Sequence, residues 1–381
     1  MSLTRLFEVF RQEMQFHLKR PLLWVQLLLL GFMVYSISMG RASIQSGDAR
    51  VGGHKAFINS EFAITQLMIF LSSLIYVFFA SVAAGMSMIR DDEAKVGEII
   101  HSTPLRPSEY VWGKFLAVMT SFVGVLAIHV ALTMAFNHLL PHGKNADFIG
   151  PFRLASYLRP ALVFALPTLV LFCGTCFAIG GLTRKPVLVF VLPVTVLMVG
   201  VFFLWEWSPV WLSWELNRAL QFADLTGLRW LKEVWLDVDK GVEFYNTNSV
   251  GLDTLVIAQR VLCVALGLGA VWILERRFTA TLRGARAPRG TSVSALLTEA
   301  GQRRDAQAPG TAPRAASTLA SLGMRSGVPA FVASAVEVMG AELHGFLRHP
   351  GLYLFVPLII LALWIGLYPA PFLNRLNTSV A

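Results

Sequence analysis

Charge is scarce in this chain. Only 14% of its 381 residues are Asp, Glu, Lys or Arg, while 55% are hydrophobic. A water-soluble domain usually carries about a quarter charged residues, so the composition excludes an ordinary soluble protein. Cysteine is scarcer still: Cys173, Cys176 and Cys263 all fall inside apolar runs, which leaves no disulfide framework in the loops. Alternating segments of about ten residues are missing, which argues against a transmembrane barrel. A Gly-rich Lys-Ser/Thr phosphate loop is missing too, since Gly113-Lys114 is followed by Phe115. No His-Glu-x-x-His pattern occurs, and His138 and His142 are separated by Pro141, which spoils a helical ligand pair. These absences leave no catalytic residue, metal site or cofactor to assign. A cleavable leader is not expected, because Glu8 and Glu13 stand where a short basic region would precede the apolar stretch.

Long apolar runs are plentiful. Seven approach the length of about twenty residues that crosses a bilayer as a helix. They are Pro21–Met39, Phe62–Ile89, Phe115–Leu140, Pro160–Leu182, Pro186–Trp205, Leu252–Leu274 and Gly351–Pro369. The expected fold class is therefore all-α, a polytopic helical membrane protein. Residues 1–278 form a six-span unit with an N-terminal amphipathic helix, 279–329 a flexible basic linker, and 330–381 a second amphipathic helix with one further span. The linker is dominated by Ala, Gly, Pro, Ser and Thr and has no aromatic residue, too little apolar surface to offset its ordering entropy. Lys and Arg concentrate in the segments that lie inside when the N-terminus is cytoplasmic, which gives a multi-pass protein of the inner membrane. The net charge of +9 points to anionic lipid headgroups and away from nucleic acid.

Residues 3–19 place Leu6, Phe7, Phe10, Met14 and Leu18 at helical spacing before Lys19-Arg20-Pro21, as a helix lying on the inner membrane surface would. The same opening returns near the end of the chain: Glu8, Val9, Glu13, Leu18 and Pro21 recur as Glu337, Val338, Glu342, Leu347 and Pro350. A duplicated unit is expected, its second copy cut short or continued in a longer natural protein. Between the fourth and fifth runs, Thr183-Arg184-Lys185 forces an antiparallel hairpin. Trp205, Trp207, Trp211, Trp214, Trp230 and Trp235 crowd one outer loop and predict helices at the headgroup level. Cys173-Gly174-Thr175-Cys176 predicts close small-residue helix packing. On the third run Ser121, His129, Thr133 and Asn137 follow at multiples of four, a polar stripe along one helix face and a candidate pathway. Arg260, two turns into the sixth run, is expected to snorkel to the outer headgroups.

The loop 90–114 is acidic and then broken near Pro104, with a second short helix expected from Pro107-Ser108 into the third run. Its Glu93, Gly97-Glu98-Ile99-Ile100, Ser102-Thr103-Pro104-Leu105, Glu109-Tyr110 and Gly113-Lys114 resemble the first cytoplasmic loop of ABC-2 type transporter permeases. The resemblance covers residue 1 to about residue 278. Glu243-Phe244-Tyr245-Asn246-Thr247, leading to Gln259-Arg260-Val261-Leu262, is similar to a loop of larger two-unit permeases fused to a zinc aminopeptidase, though the peptidase motif is absent here. The resemblance implies a permease with no enzyme activity of its own. A separate ATPase subunit would dock on Glu93, Gly97, Glu98, Thr103, Pro104, Leu105, Glu109 and Lys114, and a second permease unit would complete the pathway. The alternatives are a secondary transporter working through His129 and a non-transporting membrane protein.

Overall fold

The computed structural model describes residues 2–39, 57–93, 105–142, 147–200, 213–233, 240–286 and 339–340. Among the described residues there is no strand, and five helical segments are long and apolar enough to cross a membrane. The seventh run, Gly351–Pro369, lies outside the described residues.

Helix α1 spans Leu3–Lys19 and stops where the sequence makes it stop. Arg20 precedes a proline and is extended (φ −76°, ψ 135°), while Pro21 opens α2, Pro21–Ser38, at a position whose N–H has no helical partner anyway. Helix α3 begins at Glu61, capped by the Ser60 hydroxyl, which accepts from Ala63 N at 3.2 Å. It runs Glu61–Leu71, passes through a π-helical turn at Ser72–Tyr76, and continues Val77–Glu93. Helix α4, Pro107–Leu139, is a single 33-residue rod. The short helix expected at Pro107 is therefore its first two turns, and the helix starts well before the apolar run at Phe115.

Helix α5 is interrupted in the same manner as α3: Leu154–Pro160, a π turn at Ala161–Ala165, then Leu166–Thr183. Pro160 and Pro167 flank that turn, and each removes a backbone donor, so the ladder widens between them. Arg184 then turns the chain in the left-handed region (φ 54°), its N–H on Gly180 O at 3.0 Å, and Pro186 opens α6, Pro186–Met198. As described, α6 is shorter than a crossing helix; residues 201–205 of the fifth apolar run lie outside the described residues. Among the described residues three short helices follow, α7 (Trp214–Ala223), α8 (Leu228–Leu231) and α9 (Val242–Thr247), and then α10, Thr254–Arg286. Helix α10 extends past residue 278, so the first residues of the expected linker are helical.

Lipid is as apolar as leucine, so helices in a bilayer associate through close packing rather than water exclusion. Helix α3 is the centre, with 94% of its apolar window buried against 33% for α2 and for α10. Glycines bring its neighbours in. A Cβ on Gly180 of α5 would fall 2.3 Å from Gly85 O of α3, and one on Gly174 would fall 2.2 Å from Gly267 O of α10. The small residues around Cys173 and Cys176 thus form the α5–α10 seam, and both thiols are free and buried. On α1, Val9 lies against Gly113 of α4, where an added Cβ would meet it at 2.9 Å.

Two expectations for the residues between α6 and α10 and for α10 itself are corrected. Of the two described tryptophans in this segment, Trp230 is 2% exposed and stacks on Phe164 of α5 at 5.3 Å, while Trp214 is exposed. Arg260 does not snorkel. It is buried, with Nη1 donating to Thr168 Oγ1 (3.2 Å) and Leu225 O (3.3 Å) and its guanidinium over the Phe164 ring at 5.1 Å. Next to it, Gln259 Nε2 donates to the carbonyls of Gln221, Phe222 and Asp224. Together the pair holds the turn between α7 and α8 into the bundle. Gly227 (φ 89°) is required there, because a Cβ would sit 2.3 Å from Arg260 Nη2.

Candidate functional site

The face of α1 that carries Phe10, Glu13 and His17 turns away from water onto α3 and α4. Glu13 is the hub. Its Oε1 accepts from Ser87 Oγ at 2.8 Å and from Arg90 Nη2 at 3.0 Å, and its Oε2 lies 3.2 Å from Arg90 Nη2 and 3.4 Å from Lys114 Nζ. Lys114 is 2% exposed and donates to Asp91 Oδ2 at 2.5 Å and to Ser87 O at 3.0 Å. Tyr110 OH reaches the same Asp91 oxygen at 2.6 Å. Arg90 and Arg20 both lie over the Phe16 ring, at 3.7 and 4.3 Å from its centroid.

Two carboxylates and two cations therefore share one enclosed volume, which is the condition for burying charge at tolerable cost. Burial by itself would raise the Glu13 pKa; the His17 hydrogen bond and the charges of Lys114 and Arg90 outweigh it and hold the carboxyl well below its usual range. Burial dominates at His17 and keeps its pKa below 6.5 despite the Glu13 carboxylate, whose Oε1 lies 3.4 Å from Nε2.

The cluster stands at the two stems of the 90–114 loop. Arg90 and Asp91 close α3 before the loop departs; Tyr110 and Lys114 receive it on α4. Of the expected docking residues, Glu109 is buried and works locally, accepting from Arg106 N at 3.1 Å and Ser2 N at 2.5 Å. It caps α4 and ties the start of α1 to it. Lys114 lies inside the cluster, and Leu105 is half-buried against the core. Glu93 is the last residue of α3; Gly97, Glu98, Thr103 and Pro104 lie outside the described residues.

The polar stripe of α4 is buried along its length. Thr133 Oγ1 donates to His129 O (2.8 Å) on its own helix, whereas Ser121 Oγ lies 2.8 Å from Ala117 O and 3.2 Å from Met14 Sδ of α1. Asn137 Nδ2 donates to Tyr157 OH at 3.3 Å. His129 Nδ1 is 3.2 Å from Tyr76 OH, on the last residue of the π turn in α3, and its Nε2 has no hydrogen-bond partner among the described residues. Sequence reasoning found this stripe but missed the Glu13 cluster. The available signal was the placement of Glu13 and His17 on the Phe10 face of α1, together with the return of Glu13 as Glu342. Among the described residues no three His, Cys, Asp or Glu side chains converge as a metal site would require. The chain matches no protein-family model and no curated protein.

Proposed function

We propose that this chain is the membrane-spanning permease subunit of an ABC-type exporter, driven by a separate ATPase subunit that docks on the 90–114 loop. The observation that carries this reading is the wiring of both loop stems to one carboxylate. A load applied to the loop meets Arg90 and Asp91 on α3 and Lys114 on α4, and Glu13 joins them to α1. The three helices then move as one body. Helix α5 follows α3 through Gly85 and Gly180, and α10 follows α5 through Gly174 and Gly267, so closure of an ATPase pair becomes a tilt of packed spans. ATP hydrolysis belongs to the partner. The chain supplies half of a pathway, with Ser121, His129, Thr133 and Asn137 as its candidate polar face, and a second permease unit completes it. In this reading α1 and the loop are cytoplasmic and the membrane is the inner one.

A second reading, a secondary transporter, draws on the Tyr76–His129 pair, a polar contact at mid-span depth. It differs in requiring transport without an ATPase.

The experiment is copurification with the cognate ATPase. Glu98→Lys is expected to abolish stimulated hydrolysis with the spans still folded, because reversing a charge on a docking surface disturbs register with the partner. Leu105→Asp is a poorer probe, since half-burial makes it a folding variant too. If Glu98→Lys and Leu105→Asp both match an Asp147→Asn control while the ATPase stays bound, the loop is a mere connector.

A further inference from the structure

Helix α3 runs from the Glu13 cluster at Asp91 to a second polar assembly at Glu61. There, three stretches of chain enclose a cavity of about 340 Å³: the residues leading into α3, those leading into α5, and those between α9 and α10. Its walls are stitched together. Ile58 N donates to Phe148 O at 2.9 Å, Asn59 exchanges two 2.8 Å hydrogen bonds with the Gly150 backbone, and Phe57 N donates to Asn246 Oδ1 at 2.7 Å. Gly150 is in such close contact that a Cβ would fall 2.4 Å from the Phe57 ring. A cavity held this firmly needs little ordering when a ligand arrives.

The chemistry of the lining is one-sided. Arg159 Nη1 pairs with Glu61 Oε1 at 3.1 Å, and the same oxygen accepts from Val250 N at 3.1 Å, so this carboxylate is engaged. Arg153 has no carboxylate partner among the described residues; it donates Nη1 to Thr247 O at 3.3 Å and keeps the rest of its five-donor fork. The side chains of Ser156, Asn248 and Ser249 line the same cavity and make no hydrogen bond among the described residues. Two guanidiniums face one carboxylate, which leaves one positive charge in excess, surrounded by unspent donors.

We propose that this cavity is a binding site for the oxoanion group, phosphate or carboxylate, of a small polar ligand. Arg153 grips two oxygens with its planar fork, and Ser156, Asn248 and Ser249 complete the donor set. The Arg159–Glu61 pair fixes the wall and limits the excess to one charge, which favours a singly charged group over a polyanion. The volume is at the lower end of the range for small-molecule sites, about 300–1,000 Å³, which fits a headgroup-sized ligand. Because the cavity lies where α3 and α5 begin, the oxoanion can arrive from water or from a lipid headgroup. The proposal is independent of any ATPase.

The test uses the full chain in nanodiscs of neutral lipid. Titrated inorganic phosphate is expected to raise the melting temperature by mass action, with affinity weakened roughly tenfold in Arg153→Gln and by less in Asn248→Ala. Both variants should melt with the unmodified chain when no phosphate is added; if Arg153→Gln does not, Asn248→Ala decides. A parallel arm replaces neutral lipid with phosphatidic acid. Stabilisation by the anionic lipid but not by free phosphate, lost in the same variants, identifies a headgroup as the source. If neither source stabilises the chain, or both stabilise the variants as much as the unmodified protein, the proposal is overturned.

Discussion

Glu13 on α1 and Lys114 on α4 face one another at 3.4 Å inside the bundle, each also held by a residue of α3, Glu13 by Arg90 and Lys114 by Asp91. An ordinary N-terminal amphipathic helix is attached to its protein by apolar contacts and can slide. This one is also pinned by a buried carboxylate, Glu13, whose two oxygens reach both neighbouring helices.

Removing the pin should be costly. Glu13→Ala leaves the buried Lys114 and the partly exposed Arg90 with Asp91 alone, and loss of one member of a buried pair typically costs about 3 kcal/mol. Glu8→Ala, which removes an exposed pair with Arg11 on the same helix, should leave stability unchanged. Denaturant titration of both variants in nanodiscs checks the contrast.

Stability should decline in two stages as pH falls. The folded chain resists protonating His17, whereas the unfolded chain protonates near 6.5, so stability is full above that value and is lost as pH falls from it toward the lower folded pKa. Below the ordinary carboxylate value of 4.5 the unfolded Glu13 takes up a proton that the folded one refuses, and a second decline begins. His17→Gln should flatten the first stage and leave the second. Melting temperatures measured from pH 7.5 to pH 4 decide it.

The α5–α10 seam should tolerate no methyl group. Gly174→Ala places a Cβ 2.2 Å from Gly267 O, and the helices must part, at a cost on the order of 1–3 kcal/mol. Gly269→Ala, on the same helix as Gly267 but with nothing within 4 Å, should be harmless. Thermal unfolding of the two single variants separates a packing requirement from a general effect of glycine replacement.

Sidedness can be read with thiol reagents. The three native cysteines are buried and should stay unlabelled in the folded protein. Asp147→Cys should be modified by an impermeant maleimide added to intact cells, and Ala94→Cys only after the membrane is opened. The reverse pattern would place the 90–114 loop outside and remove its docking role.

The helices were legible in the sequence because their signals are local: Lys19-Arg20-Pro21 ends α1 where it should, and Pro107 starts α4. The cluster was not, because Glu13 meets Arg90 and Lys114 only after folding, and a charge in a polar-looking stretch reads as solvated. That is why Lys114 and Glu109 looked like surface residues of the 90–114 loop and turned out to be buried. Arg260 misled for the same reason: a cation inside an apolar run suggests headgroups, and its partners, Thr168 and Leu225, are far away in sequence. The π turns left no periodic signal at all, since a single extra residue barely disturbs a uniformly apolar run.

The π turn at Ser72–Tyr76 has a consequence for how this chain can vary. Such a turn is an α-helix that has accommodated one additional residue, and each residue of an α-helix advances the chain by about 100°. Glu61, in the cavity wall, and Arg90 and Asp91, in the charge cluster, belong to opposite ends of that one rod. Deleting a residue between them, outside the π turn itself, would rotate one end against the other by more than a quarter circle, and either the cavity or the cluster would lose its partners. Substitutions can drift through the middle of α3, whereas insertions and deletions outside the turn cannot, because the number of residues is what keeps the two faces of the molecule aligned.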